Sequence, residues 1–138
     1  MSDMLFKIRM SDRRVPFSPE NLGPHAPRRA GVYRLHLLDR RMRAEVLYVG
    51  LALAERGQTI HSALAAHIMG NQRPAKSDLL KEGPDIFFDY VLEPQPGASA
   101  DLMDIAGALI SQHRPRLNPS TPPPSSGRYR RVALEEIT

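Results

Sequence analysis

The chain has 138 residues, 41% of them hydrophobic, which is enough for one packed core and too little for two, so a single domain with tails is expected. Its net charge is +4, and the absence of cysteine excludes disulfides, thiolate metal sites and a cysteine nucleophile while fitting a cytoplasmic protein. No apolar run approaches the roughly 20 residues that cross a bilayer, and the N-terminus lacks the apolar stretch of a signal peptide, so no membrane partner is expected.

Pro16, Pro19, Gly23, Pro24 and Pro27 punctuate residues 11–30 and predict no regular structure there, so residues 1–30 read as an extended basic arm. Val32 to Leu38 alternates as a strand, the charged run Asp39 to Glu45 is a turn, and Val46 to Val49 is a second strand; the two form an antiparallel hairpin. Thr59 is an N-cap for a helix that carries Ile60, Leu64, His67 and Ile68 on one face and ends near Gly70 and Asn71. Ser77 to Lys81 has the length of one short helix. Ile86 to Leu92 is an aromatic, alternating strand closed by Pro94 and Pro96. Ser99 caps a helix with Leu102, Ile105, Leu109 and Ile110 on its buried side, which stops before Pro115.

These elements predict an α+β domain over residues 31–118, a small central antiparallel three-stranded sheet flanked by helices. Residues 119–138 read as a Pro/Ser-rich linker and a basic tail, with Tyr129 to Ile137 as either an edge strand or a helical turn. Charge is uneven along this layout. Residues 1–31 hold six Lys/Arg against three Asp/Glu, residues 114–138 five against two, and residues 32–113 eight against ten. Arg13, Arg14, Arg28, Arg29, Arg114, Arg116, Arg128, Arg130 and Arg131 suit a phosphate-facing surface, because guanidinium forks and counterion release supply affinity without reading sequence. The same charge also serves plain solubility.

Gly31-Val-Tyr33 and Leu47-Tyr-Val-Gly50, followed far downstream by Ala106-Gly-Ala-Leu-Ile110 and Pro115-Arg-Leu-Asn118, resemble the GIY-YIG nuclease family in order and spacing. The resemblance implies a DNA endonuclease domain that hydrolyses phosphodiester bonds with a tyrosine-activated or histidine-activated water, one Mg2+ or Mn2+ ion and a phosphate-binding arginine. It implies DNA as partner, and because cutting both strands takes two copies or two visits, a homodimer or a protein partner stays open. Carried over residue by residue, it gives Tyr33, Tyr48, His67 and Asn118 as site residues.

Two charges of the family pattern are missing. Ala63 stands where the family arginine precedes His67 by one helical turn, and Ala106 stands where the family's metal-binding glutamate precedes Leu109. Leu51 replaces a lysine that often follows the motif glycine. Asp104 is a poor replacement for the carboxylate, since two residues along a helix turn it roughly 200° away from position 106. Arg56, in the loop after the second strand, is long enough to stand in for the arginine, and with Arg28, Arg29, Arg114, Arg116 and Arg130 completes the expected nucleic-acid contacts.

Each of these residues also has an ordinary reading. Strand tyrosines reach water with their hydroxyls, a histidine on an apolar helix face is commonly a satisfied core residue, and an asparagine before proline commonly ends a helix. Three accounts of the alanines follow: an inactive form of an endonuclease, a naturally non-catalytic module binding nucleic acid or protein, or an active enzyme using other residues.

Overall fold

The computed structural model describes residues 2–11, 15–41 and 43–137. The expected phosphate contacts Arg13 and Arg14 lie outside the described residues.

The fold is mixed α+β and starts from a hairpin. β3 (Gly31–Leu38) and β4 (Ala44–Ala52) pair antiparallel. Asp39 closes their turn, its Oδ1 accepting the backbone N–H of Arg41 and of Arg43 at 2.8 Å each. β5 (Ile86–Leu92) pairs with the other edge of β3, and the short β2 (Val15–Pro16) adds to β5, giving the antiparallel order β2-β5-β3-β4. Gly31 is required by this central position, because a Cβ there would stand 2.4 Å from the Val91 carbonyl oxygen. A bulge between Leu35 and His36 inserts Leu47 into β4, so Leu47 and Tyr48 both pack into the same core.

Three helices cover one face of the sheet. α1 (Pro19–His25), α2 (Ile60–Met69) and α3 (Lys76–Glu82) join Leu22, Ile60, Leu64 and Leu79 to Tyr33, Leu35 and Phe88 in one cluster. Thr59 caps α2 as its sequence predicts: its side chain accepts from Ser62 N–H at 3.0 Å, while the Ser62 hydroxyl accepts from Thr59 N–H at 2.9 Å. The opposite face carries α4 (Ser99–His113), whose Leu102, Ile105, Ala106 and Leu109 pack on Val32, Val49 and Leu53. The helix cap is Ala98 rather than Ser99, and no side chain caps it. Arg114, at φ 47, turns the chain out of α4 immediately before Pro115.

The ends depart from expectation. Residues 1–30 do not form an extended arm: they contain β1 (Asp3–Ile8), β2 and α1, and bury Ile8, Met10, Val15, Phe17 and Leu22. The prolines mislead because Pro19 occupies the start of α1, where a missing N–H costs nothing, and Pro16 sits on an edge strand. The tail is a strand, β6 (Arg131–Glu136), yet it pairs in parallel with β1 as a separate two-stranded sheet instead of extending the central one. The central sheet has four strands where three were expected, because β2 from the N-terminal segment adds to β5. Phe6 and Leu134 bring the terminal pair onto the α4 core.

Candidate functional site

Strand alternation places Tyr33, Leu35, Tyr48 and Gly50 on one face of the hairpin, with Tyr33 opposite Gly50 and Leu35 opposite Tyr48. The Tyr33 ring crosses directly over Gly50, where a Cβ would fall 2.0 Å from its Cζ. That crossing is the physical reason a glycine follows Tyr48-Val49. It sends the Tyr33 hydroxyl toward α2, 2.6 Å from His67 Nε2. The three rings form a tight group, with centroids 6.2 Å apart for Tyr33 and Tyr48, 5.6 Å for Tyr33 and His67, and 5.1 Å for Tyr48 and His67.

The proton positions in this group follow from its partners. His67 Nδ1 lies 2.8 Å from the Pro74 carbonyl oxygen, which only accepts, so Nδ1 carries the hydrogen. Nε2 of the neutral ring is then an acceptor, and the Tyr33 hydroxyl donates to it. Burial keeps the pair neutral: it lowers the pKa of His67 and, with the neighbouring Tyr48, raises that of Tyr33 well above the ordinary phenol value. Tyr48 is raised by burial as well, partly offset by a hydrogen bond with Gln72. Having donated its hydrogen, the Tyr33 oxygen keeps lone pairs for a water or ligand proton, and a proton taken there can pass to His67.

Beside this group lies a cleft of about 500 Å³. Tyr33, Tyr48, Ala63, Ala106 and Asn118 all line it, although they come from two strands, two helices and the segment after α4. Arg56, at the end of a 3-10 turn over Ala54–Arg56, lines it too, with Gln58, Ser62 and Gln72. Thr121 and Pro122 to Pro124 form the remaining wall. The leucine at 51 also faces the cleft.

Two expected site residues do different work from that anticipated. His67 is fully buried with both ring nitrogens engaged, so it contacts no phosphate and acts only through Tyr33. Asn118 clamps the edge of the sheet: its Oδ1 accepts from Val49 N–H and its Nδ2 donates to Val49 C=O, both at 2.9 Å. With Leu117 N–H donating to Leu47 C=O at 3.0 Å, this holds the segment after α4 against β4. Asn118 is thus a positioning residue, with one donor and one acceptor of its amide held by the Val49 backbone.

The arginines divide similarly. Arg116 bonds Glu45 at 2.8 Å and also engages Glu82, Arg130 bonds Asp3 at 3.1 Å, and Arg128 bonds Asp101 at 2.7 Å. These cations are committed to the fold, which sequence charge cannot reveal. Arg29 donates to the Glu93 carbonyl oxygen at 3.4 Å. Arg28, Arg56 and Arg114 are exposed and form no ion pair among the described residues.

The cleft does not fit a magnesium or manganese ion. Its lining offers phenols, carboxamides, hydroxyls and one guanidinium but no carboxylate, and a hard cation is held by charged oxygen ligands. Asp104 on α4 is turned away and bound to Ser126 and Arg128. Sequence reasoning missed Gln58, Gln72 and the proline wall; the one signal for the wall is Gly107, a helix-interior glycine beside Ala106.

Searched against family models, curated proteins and solved structures, the chain matches none.

Proposed function

We propose that the chain is a non-hydrolytic nucleic-acid-binding module whose scaffold resembles that of the GIY-YIG nucleases. What supports this reading is one observation: positions selected by the motif resemblance from distant parts of the chain line a single cleft that holds Arg56 and lacks any carboxylate. A guanidinium without a carboxylate partner retains its fork for phosphate. Phosphodiester hydrolysis, by contrast, needs charge aimed at the developing transition state, where one positioned group is worth about 3 kcal/mol. Ala63 and Ala106 supply none.

The second reading, a DNA endonuclease using other residues, is favoured by the Tyr33 to His67 hydrogen bond, which leaves the Tyr33 oxygen free to accept a hydrogen bond from a water in the cleft. Binding and cleavage separate the two. Fluorescence anisotropy with labelled oligonucleotides is expected to show affinity falling steeply between about 50 and 200 mM salt. Arg56→Ala should weaken binding and lower the salt slope by about 1, while Arg116→Ala leaves the slope unchanged because Glu45 and Glu82 already neutralise that side chain. A flat salt profile, or no binding at low salt, removes nucleic acid from the reading.

A further inference from the structure

The wall formed by Pro122 to Pro124 is fastened to α4 by two independent contacts. The first is steric: a Cβ at Gly107 would lie 2.1 Å from the Pro124 carbonyl oxygen, so the chain crosses the helix where only glycine leaves room. The second is electrostatic. Asp104, its side chain 1% exposed, accepts from the Ser126 N–H at 2.8 Å and the Ser126 hydroxyl at 2.7 Å, and pairs with Arg128 at 2.8 Å. A carboxylate so deeply placed is tolerated only when its oxygens are satisfied, and here both are satisfied by the strap. Residues 119–128 are therefore anchored rather than free, and they turn what would be an open groove beside Ala106 into a bounded pocket.

Taking the nucleic-acid reading as its basis, we infer that this strap is a specificity-determining wall, which makes the cleft a pocket for a single nucleotide unit, either a nucleoside monophosphate or the unpaired end of a strand. A volume of about 500 Å³ falls within the range of small-ligand pockets. Arg56 is suited to one phosphate. The Gln72 carboxamide and the Tyr48 hydroxyl are suited to the edge of one base, and Leu51, Ile110 and the proline rings give a flat base apolar walls. A closed duplex carries its phosphates on a convex surface and keeps its bases paired, so a walled pocket reaches neither.

The test measures binding of 5′-mononucleotides, a single-stranded oligonucleotide and a dumbbell duplex without free ends by calorimetry, using the full chain, Asp104→Asn and Gly107→Ala. The full chain should prefer the mononucleotide or the single strand over the dumbbell by at least about tenfold, a difference of roughly 1.4 kcal/mol. Binding of mononucleotides assigns the free ligand, and binding of the single strand alone assigns the strand end. Asp104→Asn removes the anchor's charge without adding a heavy atom, Gly107→Ala displaces the strap sterically, and either should narrow the preference; Asp104→Asn serves if Gly107→Ala fails to fold. Equal or tighter binding of the dumbbell, or a preference unchanged in both folded variants, overturns the inference. Failure of all three ligands to bind would instead overturn the nucleic-acid reading on which it rests.

Discussion

β3 carries polar residues on both faces, and the two faces solve the problem of burial differently. On one, Arg34 donates to Asp89 at 3.0 Å and 2.6 Å and pairs with Glu136 at 3.0 Å, while His36 bonds Asp89 at 2.7 Å. Burial pushes the Asp89 carboxyl up, but the bonds from His36 and Arg34 outweigh it and hold it below the ordinary carboxylate range. On the other face, Tyr33 and His67 are neutral, and the tyrosine oxygen has spare accepting capacity beside a cleft. An ionic cluster whose charges are paired ties the fold together, here joining β3, β5 and the C-terminal strand. A neutral pair with capacity to spare is where chemistry or binding belongs.

The largest expected effect breaks the ionic face. Arg34→Met leaves the buried Asp89 with His36 as its one remaining side-chain partner among the described residues and should lower stability by about 3 kcal/mol in urea unfolding. Adding both Asp89→Leu and His36→Leu should recover part of this loss, since removing the buried cluster entire is far less costly than removing one member of it. No recovery would mean that the cluster is not the origin of the effect. On the other face, Gly50→Ala forces the Tyr33 ring from its place and should cost about 3 kcal/mol, as overpacking does at its upper range. A stability unchanged within about 0.5 kcal/mol would show that Tyr33 does not cross Gly50 in solution.

Smaller effects probe the neutral pair. Tyr33→Phe leaves the buried His67 Nε2 without its donor and should cost about 1 to 3 kcal/mol. Acid titration sharpens the same point. Because His67 is depressed by burial, the unfolded chain takes up its proton first, near the ordinary value of about 6.5. Its contribution to stability is thus complete above that value and is lost as pH falls through and below it. His113 is lowered in the same sense, by burial and by Arg34, so His67→Gln should flatten the slope without abolishing it. An identical slope in His67→Gln would show that His67 is not held neutral.

How much of this was legible depends on the range over which each feature acts. The hairpin, α2 with its Thr59 cap, β5 and α4 follow from local alternation, helical spacing and capping, and their boundaries fall within a few residues of the expected ones. The pairing of β1 with β6 joins opposite ends of the chain, and no local period encodes it. The prolines of residues 11–30 look like breakers because their positions relative to helix and sheet ends are invisible in sequence. In the cleft, the motif residues were legible as a set, but their work was not. His67, expected as a site residue acting as base or phosphate donor, is buried behind Tyr33, and Asn118, expected as a site residue, bonds the β4 backbone. Arginine counts likewise cannot distinguish Arg56, open to the cleft, from Arg116, held by two glutamates.

The proposed absence of hydrolysis is tested most directly by plasmid nicking in magnesium or manganese. The unmodified chain should nick no faster than a protein-free control, because the cleft lacks the two charges of the nuclease pattern it resembles, each worth about 100-fold to 1000-fold in rate by comparison with other transition-state donors. Metal-dependent nicking by the unmodified chain that disappears in both Tyr33→Phe and Arg56→Ala would contradict the account and make this cleft a working active site.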